Sequence, residues 1–225
     1  MTAATPNVQT AMAAYLYGYP LVYDLEEVGN FVAGSGGLPV SAPFNAFGSA
    51  RELLGPETAF VSPNNDTLYV VAMCDVRSAA LVLDVPDTAG RYFVLQFVDA
   101  WTNNFAYIGT RTIGSGAARF VLAPAGYSGE VPDGAQVIET PTGIFSIVGR
   151  VQVHGAADLD AVRAVQDGFT LAGLGGAADP AGIPAPDLGV PEDLAWWERF
   201  RVALAAFPPP AGDAEFVDAC AALGL

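Results

Sequence analysis

Residues 92–99 read Tyr-Phe-Val-Leu-Gln-Phe-Val-Asp. Phe93, Leu95 and Phe97 share one face of an extended chain, because successive side chains of a β-strand point to opposite sides. Asp99 ends that same apolar face. The stretch therefore predicts a β-strand with one buried face and a carboxylate at its last position.

The alternation of side chains with a period of two residues, which is typical of β-strands, continues on both sides of this stretch. Turn signals rich in Gly, Pro, Asn and Asp separate the runs, and no helical pattern falls between them. The other candidate strands are residues 59–62, 67–75, 80–85, 105–111, 118–123, 136–139 and 144–153. Many short strands at this spacing favour a mainly β fold, either an antiparallel β-sandwich or a partly open barrel.

Helical patterns flank the predicted strands, which makes the overall class α+β. Residues 10–27 have a helical stripe in which we expect Pro20 to cause a kink or break. A second helix is expected to begin at Asp158 as N-cap, and helices follow Pro191. The predicted organisation is a β domain at residues 10–172, a linker at 173–190 and a helical tail at 191–225.

The composition excludes several classes of function. The chain has 225 residues, with 24 acidic and 9 basic side chains, and a net charge of −15. All nine basic residues are arginine, which excludes lysine Schiff bases and phosphate-loop lysines. One histidine cannot build a multi-histidine zinc site. The acidic balance argues against nucleic-acid and membrane partners and leaves a small-molecule ligand or a protein partner.

Targeting and cofactor signals are also absent from the sequence. No apolar run approaches the ~20 residues of a membrane span, and residues 1–10 do not resemble a secretory signal, so we expect a cytoplasmic protein. The glycine-rich residues 34–37 lack both a preceding strand and a following lysine, and no nucleotide or organic cofactor motif is found. Cys74 and Cys220 are expected to be free thiols.

The candidate chemistry begins with Asp99 and Arg111. On the strand that follows Asp99, one face carries Phe105, Tyr107, Gly109 and Arg111. Arg111 either pairs with Asp99 across a hairpin or binds a substrate carboxylate bidentately. Both alternatives fit the pattern.

A second candidate is the polar turn at residues 64–67, Asn-Asn-Asp-Thr. Such turns commonly cap their own backbone. The alternative is that Asn64, Asn65, Asp66 and Thr67 supply oxygen ligands for a divalent metal ion, or position a water molecule, at the mouth of the β domain.

Two other groups of residues are weaker candidates for a functional site. Tyr15, Tyr19 and Tyr23 lie on one helical face, where core packing competes with lining a ligand pocket. His154 lies on the polar side of its strand and is expected to face water. A serine hydrolase would need this histidine, but the Gly-x-Ser-x-Gly signature is missing.

Several motifs together resemble the domain of unknown function 1254. They occur in the family's order over about residues 10–172. The segments are Tyr-Gly-Tyr-Pro-Leu-Val at 17–22, Ser-Pro-Asn-Asn-Asp-Thr-Leu-Tyr at 62–69, Asp-Ala-Trp-Thr-Asn-Asn-Phe at 99–105, Gly-Thr-Arg-Thr at 109–112 and Val-Gly-Arg-Val-Gln-Val at 148–153.

The resemblance implies a mostly β domain that is usually followed by a partner β domain, of unknown function 1214. Residues 192–225 are similar to the helical link that precedes that partner. We therefore expect this chain to correspond to the first half of the two-domain layout, without the second domain.

Two hypotheses of different classes follow. The first is an enzyme that acts on a small, largely apolar molecule by hydrolysis or proton transfer, with Asp66, Asp99 and Arg111 converging at one open end of the β domain. The second is a non-catalytic ligand-binding or assembly domain that pairs with a partner domain or a second copy. Substrate contacts in the first hypothesis would come from Tyr19, Asn64, Asn65, Thr67, Tyr69, Trp101, Asn103 and Asn104.

Overall fold

The computed structural model describes residues 7–37, 39–56, 58, 64–187 and 189–225. Within these residues it has four α-helices: α1 (Val8–Ala33), α2 (Leu159–Gly168), α3 (Ala195–Ala206) and α4 (Ala214–Cys220). The strands are β1 (Phe47–Ser49), β2 (Thr67–Asp75), β3 (Leu81–Val85), β4 (Phe93–Asp99), β5 (Asn104–Gly109), β6 (Ala118–Pro124), β7 (Ala135–Thr140), β8 (Ile144–Gln152) and β9 (Thr170–Gly173). The candidate strand at residues 59–62 lies outside the described residues.

The strands form two open sheets, which confirms the mainly β, α+β class. One sheet has five strands in the order β1-β2-β8-β4-β5, and the other has four in the order β7-β6-β3-β9. All neighbouring pairs are antiparallel except β6 and β7, which are parallel. The expectation of a purely antiparallel fold is wrong at this one pair.

Both sheets contribute to one hydrophobic core. Phe93, Leu95 and Phe97 are fully buried there, which confirms the predicted inward face of β4. The four-stranded sheet adds Leu81 and Leu83 from β3 to the same cluster. The central strands of the two sheets bury apolar side chains in this shared core. A register shift of one residue would turn those side chains to the other face, so burial fixes the register of the central strands.

The chain divides into two compact units, and the boundary falls within α1. Unit 1 contains residues 1–26, 100–102 and 183–225, and unit 2 contains residues 27–99 and 103–182. Unit 2 holds all nine strands and α2. In unit 1, α1 packs closely on α3, since a Cβ at Gly18 would meet the Phe200 ring at 2.5 Å.

Three local expectations need correction. Pro20 lies inside α1, so the expected break of the helix at this proline is wrong, and the buried Ala14 and Leu21 lie on either side of it. β1 and β9 lie in segments that are not among the candidate strands of the sequence. Both are short strands that complete the edges of sheets already formed by longer ones.

The two cysteines are free and buried, as expected. Burial raises the pKa of the Cys74 thiol well above its usual range, with a smaller contribution from the charge of Asp75. Among the described helices, none combines the length and apolar character needed to cross a membrane.

Asp158 precedes α2 as predicted, but its side chain does not cap the helix. Its carboxylate instead accepts hydrogen bonds from both terminal nitrogens of Arg91, at 2.5 and 2.7 Å, and from the backbone N–H of His154 at 2.9 Å. The bonds from Arg91 and then from His154 lower the pKa of Asp158 to about 2.

This pair predicts an acid-dependent loss of stability. Because the pKa of Asp158 is about 2 in the folded chain against an ordinary 3.8, its stabilisation is complete above 3.8 and is lost as the pH falls towards 2. We expect the difference in unfolding free energy between the natural chain and Asp158→Asn to shrink over that interval. Urea denaturation at a series of pH values measures it, and a difference that stays constant with pH would contradict the assignment.

Candidate functional site

The strand register separates the two candidate carboxylates. The Val153 N–H donates to the carbonyl oxygen of Asp66 at 3.0 Å, beyond one end of β8, whereas Asp99 is paired with Phe145 near the other end. Eight residues of extended chain separate those positions, which is roughly 26 Å. The prediction that Asp66, Asp99 and Arg111 converge is therefore wrong.

Arg111 lies at the opposite end of the β4–β5 hairpin from Asp99. It follows Gly109, which is paired with Val94 at the start of β4, whereas Asp99 ends that strand. The predicted Asp99–Arg111 ion pair is thus also wrong. Asp66 is at the same end of the sheet as Arg111, but β8 and β4 lie between their strands, a separation of roughly 14 Å.

Asp99 belongs to the hairpin turn. Its carboxylate accepts hydrogen bonds from the backbone N–H of Asn103 at 2.8 Å and from the Asn103 side-chain amide at 3.3 Å. The side chain is almost completely buried, with 4% of its residue surface exposed. These contacts give Asp99 a structural role in closing the turn between β4 and β5.

The turn at residues 64–67 caps its own backbone. The side-chain oxygen of Asn64 accepts hydrogen bonds from the Asp66 N–H at 3.2 Å, the Thr67 N–H at 2.8 Å and the Thr67 hydroxyl at 2.6 Å. In the part of the chain that the structure describes, no three His, Cys, Asp or Glu side chains cluster as metal ligands would. A divalent metal at this turn stays a prediction. One of its expected ligands, the side-chain oxygen of Asn64, already accepts three hydrogen bonds within the turn.

The other candidate contacts are distributed over both units. In unit 2, Tyr69 is buried beneath the guanidinium of Arg150, 5.6 Å from the ring centre, and Asn104 accepts a hydrogen bond from Gln96. Asn65 and Asn103 are exposed in their turns, and His154 is exposed as expected.

In unit 1, Trp101 is a packing residue, since its indole N–H donates to the Phe207 carbonyl at 3.0 Å and its ring lies 5.1 Å from Tyr17. Tyr19 is half-exposed and stacks on Tyr23. The expectation that Trp101 positions a substrate is therefore not supported by its contacts.

One predicted residue, Arg111, does line a cavity. The cavity has a volume of about 420 Å³ and is lined by residues at the start of β4, at the end of β5 and in the turn after β5. Its lining is mostly aromatic and aliphatic, with one guanidinium and a few hydroxyls. The lining residues are Tyr92, Phe93, Val94, Tyr107, Ile108, Gly109, Arg111 and Thr112. We call this cavity the Arg111 cleft.

A tight turn after β5 presents Arg111 to the cleft. The Gly109 N–H donates to the Thr112 hydroxyl at 2.9 Å, and the Thr112 and Ile113 N–H groups donate to the Gly109 carbonyl at 2.9 and 3.0 Å. A side chain at Gly109 is excluded, because a Cβ there would lie 2.5 Å from the Phe93 carbonyl oxygen. The Gly-Thr-Arg-Thr sequence thus fixes the turn and leaves the guanidinium exposed at its tip.

The charges around the cleft are unusual for this chain. Within the described residues, six of the nine arginines form ion pairs with carboxylates, and Arg111, Arg150 and Arg199 do not. Arg150 is directly opposite Val94, which lines the cleft. Arg150 therefore lies on the same face of the five-stranded sheet as Val94, while Arg111 lies in the turn that follows β5.

Comparison with known families agrees with the resemblance seen in the motifs. A family model described as "Protein of unknown function (DUF1254)" matches residues 44–173, more than half of the chain. The chain belongs to the DUF1254 family. The match includes the Asn64–Thr67 turn, the β4–β5 hairpin and the Arg111 cleft of this DUF1254 chain. No curated protein matches the sequence.

One solved structure shows the same fold. The VPA0106 protein of Vibrio parahaemolyticus is similar with a TM-score of 0.77 and 24% identity, over 97% of the DUF1254 chain and 52% of the neighbour. An uncharacterised protein from Burkholderia cenocepacia has a TM-score of 0.39 at 14% identity, over 90% of this chain and 51% of that one. The chain thus spans about half the length of these neighbours.

The sequence did not identify Tyr92 as part of a site in this DUF1254 chain, and it indicated Tyr107 only as a neighbour of Arg111 on one strand face. Tyr92 and Tyr107 both line the Arg111 cleft, and Tyr107 is half-exposed. The strand alternation that placed Tyr107, Gly109 and Arg111 on one face was the signal that pointed to the cleft. The position of Tyr92 beside them depends on the pairing of β4 with β5, which alternation alone does not determine.

The different roles of Asp99 and Asp66 can be tested by stability. Asp99→Ala removes an acceptor of two hydrogen bonds in a buried turn, so we expect a loss of about 1–3 kcal/mol. Asp66 is exposed, so Asp66→Ala should change stability by less than about 0.5 kcal/mol. Chemical denaturation of both variants measures this, and equal losses would contradict the structural role of Asp99.

Proposed function

We propose that this chain is a non-catalytic ligand-binding domain that holds a small carboxylate with an aromatic or aliphatic body in the Arg111 cleft. The observation that carries the proposal is Arg111, which has no carboxylate partner among the described residues and lies on the rim of an apolar cleft, whereas six other arginines are paired. A guanidinium presents two parallel N–H groups that match a carboxylate.

The size and lining of the cleft support this ligand class. Small-molecule sites are mostly apolar cavities of about 300–1,000 Å³ with a few polar groups that orient the ligand. Here Val94 and Ile108 supply apolar surface, while the rings of Tyr92 and Tyr107 offer stacking area. Arg111 is the charged group that would orient the ligand.

The overall charge narrows the ligand class further. A net charge of −15 repels anions at long range, so a carboxylate must gain most of its binding free energy at short range. An apolar body provides that gain by burying surface in the cleft. We therefore expect an aromatic acid to bind much better than acetate.

The enzyme hypothesis has less support. None of the described residues that line the cleft is an aspartate, a glutamate or the histidine. Asp66 and Asp99, which would have supplied acid–base catalysis, lie elsewhere. Hydrolysis or proton transfer in this cleft would have to rely on the tyrosine hydroxyls alone, so binding is the function that the geometry supports better.

Binding of phenylacetate, with neutral phenylacetamide as the comparison, tests the proposal. The natural chain should bind the acid more tightly than the amide by at least about tenfold, as a charge-assisted hydrogen bond predicts. Arg111→Gln should lose this preference. Arg199→Gln is the matched control, because it removes one exposed arginine without a carboxylate partner from unit 1 and so changes the net charge equally.

Calorimetric titration or chemical-shift perturbation gives the affinities. If Arg199→Gln loses the preference as much as Arg111→Gln does, the effect is general electrostatics and the proposal fails. If the natural chain binds neither compound, or binds both equally, the Arg111 cleft is not a carboxylate site.

A further inference from the structure

The exposed side of α1 carries an apolar stripe in unit 1. The helix exposes 75% of Val8, 61% of Met12 and 71% of Leu16, together with 40–50% of Tyr15, Tyr19 and Tyr23. At 100° per residue, these six positions fall within an arc of roughly 100°. The stripe is separate from the buried side of the helix, which contains Ala14, Leu21 and Leu25. We call these six residues the α1 stripe.

The composition of this surface is that of an interface core. Residues 8–23 contain no charged side chain at all. Interface cores are depleted in charged residues and enriched in tyrosine and methionine, whereas an ordinary exposed helix face is charged. A continuous apolar stripe of this kind marks an interaction site.

The aromatic part of the stripe is already ordered. Tyr19 stacks on Tyr23 with the ring centres 5.8 Å apart, and Tyr15 contacts Tyr19 at 5.9 Å and Trp196 of α3 at 4.4 Å. Rings held by one another lose little conformational freedom when a partner covers them. The surface is therefore preorganised for binding.

The distribution of charge along α1 indicates which partner covers it. Asp24, Glu26 and Glu27 follow the C-terminal end of the stripe, and α1 has no basic residue. Its first turn has no acidic residue, and the helix dipole makes that end partly positive. The two ends of the α1 stripe are thus electrostatically complementary.

We infer that α1 is a self-association surface, on which a second copy of this chain packs its own α1 in the antiparallel direction. Each acidic segment then lies beside the partly positive N-terminal end of the partner helix, while a parallel arrangement would bring six carboxylates together. The stripe from Val8 to Tyr23 is roughly 22 Å long, which allows two helices to pack along several turns at a shallow crossing angle. This inference is independent of the proposed carboxylate cleft.

Sedimentation velocity over a range of concentrations up to about 200 µM in physiological salt tests self-association. We expect a concentration-dependent dimer whose dissociation constant rises by at least about tenfold in Leu16→Glu, because two carboxylates would then meet near the symmetry axis. Val131→Glu is the matched control, since it changes another exposed apolar residue, 42% exposed, in unit 2. A natural chain that remains monomeric, or a dimer that Leu16→Glu leaves unchanged, overturns the inference.

Disulfide trapping tests the antiparallel direction. About a midpoint between Tyr15 and Leu16, antiparallel packing places position 12 of one copy beside position 19 of the other. A mixture of Met12→Cys and Tyr19→Cys chains should therefore oxidise mainly to the mixed dimer, while the natural Cys74 and Cys220 are buried and do not interfere. A majority of dimers between identical chains would show parallel packing and overturn this arrangement.

Discussion

The register of β8 between β2 and β4 determines which side chains of this protein can act together. Val151 of β8 is opposite Leu68 on one side and Phe93 on the other, and all three are fully buried. A shift of one residue would turn these side chains out of the core, so burial holds the alignment. The same alignment sets Arg150 beside Val94 in the face that bears the cleft, and sends Asp99 to the far end of the sheet.

Much of the fold could be predicted from the sequence, because its main strands have strong local patterns. Residues 67–75 and 93–99 alternate or are apolar throughout and are bounded by turns, and both are strands in the structure. β1 and β9 could not be predicted, since strands of three and four residues have too little pattern of their own. The parallel pairing of β6 with β7 depends on long-range packing, which periodicity does not record.

The candidate site was predicted less well, for a related reason. Alternation correctly placed Asp99 on a buried face and grouped Tyr107 with Arg111, but it cannot tell which ends of distant strands meet. Charge pairing is equally invisible along the chain: Arg91 and Asp158 are 67 residues apart, yet they form a bidentate ion pair. The ion pairs of the described residues must be known before Arg111 can be recognised as an arginine that has no carboxylate partner among them and lies beside apolar surface.

The central claim is that Arg111 is the group that meets the ligand, and arginine side-chain NMR tests it most directly. The chain has nine arginines and no lysine, so nine Nε–H signals report every basic side chain, and Arg111→Gln and Arg199→Gln assign two of them. On addition of phenylacetate, the Arg111 signal should move most, while the six arginines in ion pairs should stay nearly unchanged. Equal movement of the Arg111 and Arg199 signals, or no movement at Arg111, would contradict the account.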